Sequence, residues 1–315
     1  MLRSIVLLLL TALPAAAQTG GDTRVCVLVP HFKDEYWLSV AHGLEQEASA
    51  SGLTLVLREA GGYRARDAQI AQIDACVAEE AGAILIGAVS DKAPALLAAI
   101  DRAAERVPVF GLVNALESPA LSGAVGVDWV QMGARIGATL AAAYPAGGPP
   151  RRAVLISGPR ESGWVGRVET GLRQALAGSA VEIIAVYGAD TGLREQFASV
   201  ASALRDHPDS DILIGSAPAI EAAMGVLAAH PNRPRPVLAA TYLTHSVRRG
   251  VMSGAVAAAS FDDPEGQGRM GLRMVAQFLR DGIRRPLAGP PITVLHGADA
   301  GRARLSPAPY FPAID

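Results

Sequence analysis

From Arg24 onward, short runs that are apolar on both faces alternate with longer amphipathic stretches, and this alternation leaves few folds open. Val25-Cys26-Val27-Leu28-Val29 reads as a buried strand, and Pro30, which cannot donate to a ladder, ends it. Residues 39–51 then space Val40, Leu44 and Ala48 at helical intervals and close on Gly52, where a left-handed cap belongs. The pattern continues as strand 53–57, helix 67–81, strand Ile84-Leu85-Ile86, helix 92–105 and strand 108–112. Strands with no polar face, separated by helices, need a parallel sheet covered on both sides.

Near Val125-Gly126-Val127 the rhythm restarts with a helix at 129–144 and a Gly-Gly-Pro-Pro loop at 147–150. A second set of strands follows at 153–156, 181–186, 212–214, 237–240 and 256–259, and then a helix at 264–281 and a strand at 292–295. Two such repeats in 315 residues predict two lobes of like architecture with a cleft between them.

The amino terminus fits a different role. Met1-Leu2-Arg3 is a short basic region, residues 5–13 are apolar, and Pro14-Ala15-Ala16-Ala17-Gln18 carries the small residues of an A-x-A cleavage site. We read 1–17 as a secretory signal peptide. Its apolar run is about half of what a bilayer-spanning helix needs, and no later segment is long and apolar enough. The expected mature chain is therefore soluble, with no direct membrane insertion, in the periplasm. In that oxidising compartment the only two cysteines, Cys26 and Cys76, are either a structural disulfide or two buried thiols. They make no C-x-x-C redox spacing.

Lysine and arginine number 28 against 30 aspartates and glutamates, so the formal charge of −2 offers nothing to a polyanion, and nucleic acid is not an expected partner. Aromatic residues make up only 5% of the chain, which makes their positions informative. Tyr36 and Trp37 lie in His31-Phe32-Lys33-Asp34-Glu35-Tyr36-Trp37, between the first strand and first helix. That loop falls at the carboxyl edge of a parallel sheet, where ligands bind. Tyr63 follows the second strand, Trp129 stands where the two repeats meet, and Tyr242 follows a strand of the second repeat. Each alone is as well explained by packing. Together they suggest an aromatic box, which suits a methylated cationic nitrogen with no N–H to satisfy. Tyr hydroxyls and indole N–H groups can donate to an oxygen on the same ligand.

Other chemistry finds little support. There is no G-x-S-x-G elbow and no phosphate-binding G-x-x-x-x-G-K-[ST] loop, and no two of the six histidines stand four apart. Gly266-x-Gly268-x-x-Gly271 matches a dinucleotide fingerprint, but the acidic run Asp262-Asp263-Pro264-Glu265 before it would repel a pyrophosphate. Asp34, Asn114, Asp128, Arg160, Asp190 and Asp262 fall near strand ends, where they either bond sugar hydroxyls or cap helices.

The architecture resembles the type I, ribose-binding-like periplasmic binding proteins: two Rossmann-like α/β lobes joined by a three-segment hinge. Within that fold, four stretches are similar to the TorT-type sensors of trimethylamine N-oxide (TMAO) respiration. They are Val29-Pro30-His31-Phe32-Lys33-Asp34-Glu35-Tyr36-Trp37-Leu38-Ser39, Glu59-Ala60-Gly61-Gly62-Tyr63, Val125-Gly126-Val127-Asp128-Trp129-Val130-Gln131-Met132-Gly133 and Thr241-Tyr242-Leu243-Thr244-His245. The segment Arg160-Glu161-Ser162-Gly163-Trp164 matches less well. The resemblance implies a non-enzymatic, cofactor-free sensor that recognises TMAO and regulates a membrane sensor histidine kinase through the kinase's periplasmic domain. It further implies Tyr36, Trp37, Tyr63, Trp129 and Tyr242 as the ligand box with Asp34 beside them, and it supports a Cys26–Cys76 disulfide. The expected lobes are 22–127 with 263–288 and 128–262 with 289–315. The rival reading is a receptor delivering a sugar or other small polar solute to an ABC permease, because fold alone does not fix function.

Overall fold

A computed structural model describes residues 23–315; the expected signal peptide, 1–17, lies outside the described residues. The first half of the chain runs β1 (Arg24–Val29), α1 (Glu35–Ser51), β2 (Thr54–Glu59), α2 (Arg66–Ala78), β3 (Ala83–Ile86), α3 (Pro94–Ala104), β4 (Val109–Val113) and β5 (Gly123–Gly126). The second runs α4 (Trp129–Ala143), β6 (Arg151–Ser157), α5 (Val165–Leu176), β7 (Val181–Gly188), α6 (Leu193–Asp206), β8 (Ile212–Gly215), α7 (Ala217–Ala229), β9 (Val237–Ala240), α8 (His245–Ser253) and β10 (Ala258–Phe261). The chain ends with α9 (Pro264–Asp281), β11 (Leu287–Ala288), β12 (Thr293–Leu295) and a 3-10 turn over Gly297–Arg302.

Two six-stranded sheets form, in the orders β11-β5-β4-β3-β1-β2 and β12-β10-β9-β8-β6-β7. Every pairing is parallel except β10 with β12. The apolar strands account for this: Val25, Val27 and Leu28 of β1, and Ile212, Leu213 and Ile214 of β8, are fully buried in the sheet centres. This is the two-lobed α/β architecture expected from the alternation, with the same strand order in each half. In both sheets the order reverses beside the first strand of the repeat, β1 or β6, which opens a ligand crevice at the carboxyl ends there.

Three connections cross between the sheets: β5 to α4, β10 to α9, and β11 to β12. Helix α9 packs back on α1, β4 and β5 of the first sheet. Two glycines of the apparent dinucleotide fingerprint, Gly268 and Gly271, belong to this seam. A Cβ on Gly268 would lie 2.1 Å from the Val40 carbonyl oxygen of α1, so the helices approach to backbone contact and only glycine fits. The last residues return to the first lobe, where the Asp315 amide donates to the Leu57 carbonyl at 3.0 Å. Cys26 of β1 and Cys76 of α2 form a disulfide with their Cα atoms 6.1 Å apart, settling the choice left open by the sequence.

Candidate functional site

Asp34 sets the geometry of the first loop. It is the N-cap of α1, and its Oδ1 accepts the Tyr36 amide at 3.0 Å. The helix therefore starts at Glu35 rather than near Ser39, and the two aromatics expected in a loop stand instead in its first turn. That correction follows from the cap: with the Tyr36 amide satisfied by Asp34, nothing delays the helix, and both rings are fixed against the carboxyl edge of the sheet. Trp37 is further seated by Gly87, just after β3, where a Cβ would lie 2.3 Å from the indole Cη2.

Trp129 is the first residue of α4, which Asp128 caps by accepting the Val130 amide at 2.9 Å. The indole Nε1 donates to the Val113 carbonyl at 3.1 Å, so this N–H is spent on the backbone and is not available to a ligand oxygen. Val113 has φ +63°, a strained conformation for a β-branched residue, and the Asn114 amide closes a three-residue turn on the Leu112 carbonyl at 2.7 Å. The Trp129 bond helps to hold that turn. Tyr63 lies in the loop after β2, where its amide donates to Asp190 Oδ2 at 3.1 Å and its hydroxyl sits 3.3 Å from Asn114 Nδ2.

From the second lobe, Tyr242 donates its hydroxyl to Asp34 Oδ2 at 2.5 Å. Tyr36 donates its own to Asp262 Oδ2 at 2.7 Å, and Gln267 Nε2 donates to the same phenol oxygen at 2.9 Å. The Tyr242–Asp34 and Tyr36–Asp262 bonds span the crevice, as does His31 Nε2 with Asp190 Oδ1 at 3.0 Å, so the lobes are closed on each other.

Tyr36, Trp37, Tyr63, Trp129, Tyr242 and Asp34 all line one cavity, whose own volume is small, about 20 Å³. This is below the usual range for drug-sized ligands and suits a molecule of few atoms. All six are buried, none more than 4% exposed. The walls also include Trp164, Asn114, Val113 and Thr191. Trp164 is the residue that sequence reasoning missed. Its ring centroid lies 5.6 Å from Trp129, 6.1 Å from Tyr242 and 6.5 Å from Tyr63, joining rings that otherwise have no common neighbour. Its seat is Gly158, immediately after β6, where a Cβ would meet the indole Cζ2 at 2.4 Å. The available signal was that pairing, a glycine at a strand's carboxyl end followed by the third of only three tryptophans.

Of the polar residues near strand ends, Asp34 and Asn114 face the cavity. Asp128 caps a helix, Arg160 is exposed, Asp262 holds Tyr36 from behind, and Asp190 ties the lobes together. Burial pushes the Asp34 carboxyl up to about 6, against the lowering pull of the Tyr242 and Tyr36 hydrogen bonds. Burial and the adjacent carboxylates raise Tyr36 and Tyr242 well above the ordinary phenol range, so both phenols keep their protons. Among the described residues no cluster of His, Cys, Asp or Glu could hold a metal ion, and no helix is long and apolar enough to cross a membrane.

The periplasmic binding protein domain family matches residues 25–282 of this chain. The chain is 35% identical over 294 residues to the periplasmic protein TorT of Escherichia coli K12, covering 92% of this chain and 83% of that one. Its fold superposes on TorT in complex with the TorS sensor domain with TM-scores of 0.80 in the absence of ligand and 0.81 in the presence of TMAO. Both matches are at 34% identity and cover 93% of this chain and 100% of the other. A solute-binding protein of an ABC transporter from Bradyrhizobium sp. BTAi1, with bound bis-tris, is also similar, at 33% identity and TM-score 0.77 over 94% of this chain and 90% of that one. The chain belongs to the periplasmic binding protein family and, within it, to the group of TorT.

Proposed function

We propose that this chain is a periplasmic TMAO sensor that acts without catalysis, holding its ligand between the lobes and passing the bound state to the periplasmic domain of a membrane sensor histidine kinase. The observation that carries the reading is the convergence of Tyr36, Trp37, Tyr63, Trp129, Trp164 and Tyr242, drawn from both lobes, on one small buried cavity. Ring faces stabilise a methylated cationic nitrogen by roughly 0.5–2 kcal/mol each, and they select against sugars, whose hydroxyls need many polar partners. The likeness to TorT structures solved with the TorS sensor domain, with and without TMAO, supports both ligand and partner. Export through the signal peptide at 1–17 belongs to the same reading. The moving bodies are the two expected lobes, with the chain's last residues, Tyr310 to Asp315, travelling with the first, and they swing about the three crossings; a ligand touching both favours the closed state.

The similar Bradyrhizobium protein, an ABC transporter component, supports a second reading in which a small amine is delivered to a permease. Calorimetry and Trp fluorescence of the mature chain with TMAO, alone and with the kinase sensor domain, separate the two. All three tryptophans line the cavity, so binding perturbs the whole emission. Absence of heat and of any spectral change at millimolar TMAO, with and without the kinase domain, sinks the sensor assignment. Trp129→Ala and Tyr63→Ala are expected to abolish binding while unfolding stays cooperative.

A further inference from the structure

The cavity is electrically lopsided. Asp34 is the only side chain of ordinary acidity or basicity among the residues that line it, and no Lys, Arg or His faces the space to neutralise it. Its two oxygens are met only by dipoles, the Tyr36 amide and the Tyr242 hydroxyl. The donors collect on another part of the wall. Asn114 Nδ2 reaches the Tyr63 hydroxyl at 3.3 Å, and Trp37 and Trp164 line the same cavity, the Trp164 ring centroid 6.5 Å from that of Tyr63. The Tyr63 proton has no partner nearer than Asn114 Oδ1 at 3.4 Å. A carboxylate thus stands at one pole of the box and a cluster of N–H and O–H donors at another.

Building on the proposed TMAO site, we infer that Asp34 is the counter-charge of the ligand's quaternary nitrogen, so that the ligand binds to the ionised carboxylate, displaces its proton to solvent, and lies with its oxide toward Tyr63. An ionised carboxylate buried among rings is costly without a positive centre beside it, and the quaternary nitrogen of the net-neutral ligand supplies one. The groups facing Asp34 do not upset this. Tyr36, Tyr63 and Tyr242 remain protonated phenols, Glu35 adjoins it in sequence, His31 acts on it only at longer range, and Asp262 is screened behind Tyr36. Because burial holds the empty-site Asp34 near 6, the displaced proton is measurable in mild acid.

The test is TMAO titration of the mature chain at pH 5.5 and 7.5, each in two buffers of different ionisation enthalpy, with Asp34→Asn alongside. Asn keeps the oxygen that caps α1 through the Tyr36 amide, and its Nδ2, in place of the second carboxylate oxygen, can donate to the Tyr242 phenol oxygen, so the variant is expected to fold. The expected result is proton release of a large fraction of one per ligand at pH 5.5 and close to none at pH 7.5. Affinity falls roughly tenfold per pH unit well below 6, as one coupled proton requires. Asp34→Asn is expected to remove the release and to weaken binding at pH 7.5 by tenfold or more. Proton uptake, or binding without proton exchange at pH 5.5, overturns the inference while leaving the TMAO site standing. Absence of any heat at pH 7.5 instead overturns the site itself, and the inference with it.

Discussion

The Tyr242 hydroxyl lies 2.5 Å from Asp34 Oδ2 and is the hydrogen bond through which the second lobe touches the cap of the first helix of the first. One bond therefore serves both helix start and lobe closure. Tyr242→Phe keeps the ring and its T-shaped contact with Tyr36 at 5.4 Å but leaves a buried carboxylate oxygen short of a donor. The expected cost is about 1–3 kcal/mol in the urea-unfolding free energy at pH 7.5. Because the Tyr242 bond lowers the Asp34 pKa, the variant's Asp34 is expected to titrate higher, read by carboxyl-carbon NMR. An unchanged titration means that the bond does not couple the two residues in solution.

Gly87 and Gly158 do the same work in opposite lobes, each leaving the space into which one tryptophan fits. Alanine at either position forces an indole to move, and overpacking of this kind costs roughly 1–3 kcal/mol. Gly87→Ala and Gly158→Ala are expected to lower the thermal midpoint modestly and to weaken TMAO binding at least tenfold, measured by Trp fluorescence titration. Gly225→Ala, where a Cβ meets no neighbour within 4 Å, serves as the control with unchanged binding.

The disulfide lies away from the cavity, tying β1 to α2 across 50 residues of sequence. In the chain-entropy treatment a loop of this length stabilises by at most about 4 kcal/mol. Cys26→Ala with Cys76→Ala is expected to lose a few kcal/mol of unfolding free energy while native-state affinity for TMAO stays within twofold. A large loss of affinity at a temperature where the variant is fully folded contradicts this separation of scaffold and site.

The two-lobed sheet architecture was legible because strands buried on both faces, such as Val25–Val29 of β1, have no other home. Tyr63, Trp129 and Tyr242 were legible as strand-end aromatics in a chain with few rings to spare. Three things were not. The Tyr36–Trp37 pair reads as loop because the apolar periodicity of α1 begins only at Val40, whereas the helix is started by the hydrogen bond that Asp34 accepts from the Tyr36 amide. Trp164 escaped because its place depends on Gly158 and on rings 35 and 78 residues away, Trp129 and Tyr242, a relation that exists only after folding. The last strands are two and three residues long, and their pairing with β5 and β10 comes from the crossings that hold them rather than from their own sequence.

Closure also has a titrating element at the rim. Glu35, the first residue of α1, faces His245, the first residue of α8, with 3.6 Å between Oε2 and Nδ1. His245 Nε2 already donates to the Ser306 carbonyl at 2.7 Å, so donation from Nδ1 as well requires the imidazolium. The bond to Glu35 raises the His245 pKa above 6.5, partly offset by its burial and by Arg248. Burial pulls Glu35 up, but the bond and charge of His245 and the backbone amides of Ser246 and His245 outweigh it and hold Glu35 below 4.5. The signs define a window. The His245 contribution is fully present below 6.5 and is lost as pH rises through its raised value. The Glu35 contribution is present above 4.5 and is lost as pH falls through its lowered value. The pair therefore ties the lobes together best between about pH 4.5 and 6.5, by no more than about 1 kcal/mol because Glu35 is part-exposed. His245→Gln keeps a donor for Ser306 and cannot carry the charge. The difference in unfolding free energy between wild type and this variant isolates the pair from Asp34 and Asp262, which titrate in both. It is expected to be largest near pH 5.5 and to shrink by pH 8.5. A gap of equal size at both pH values shows that His245 acts only through Ser306.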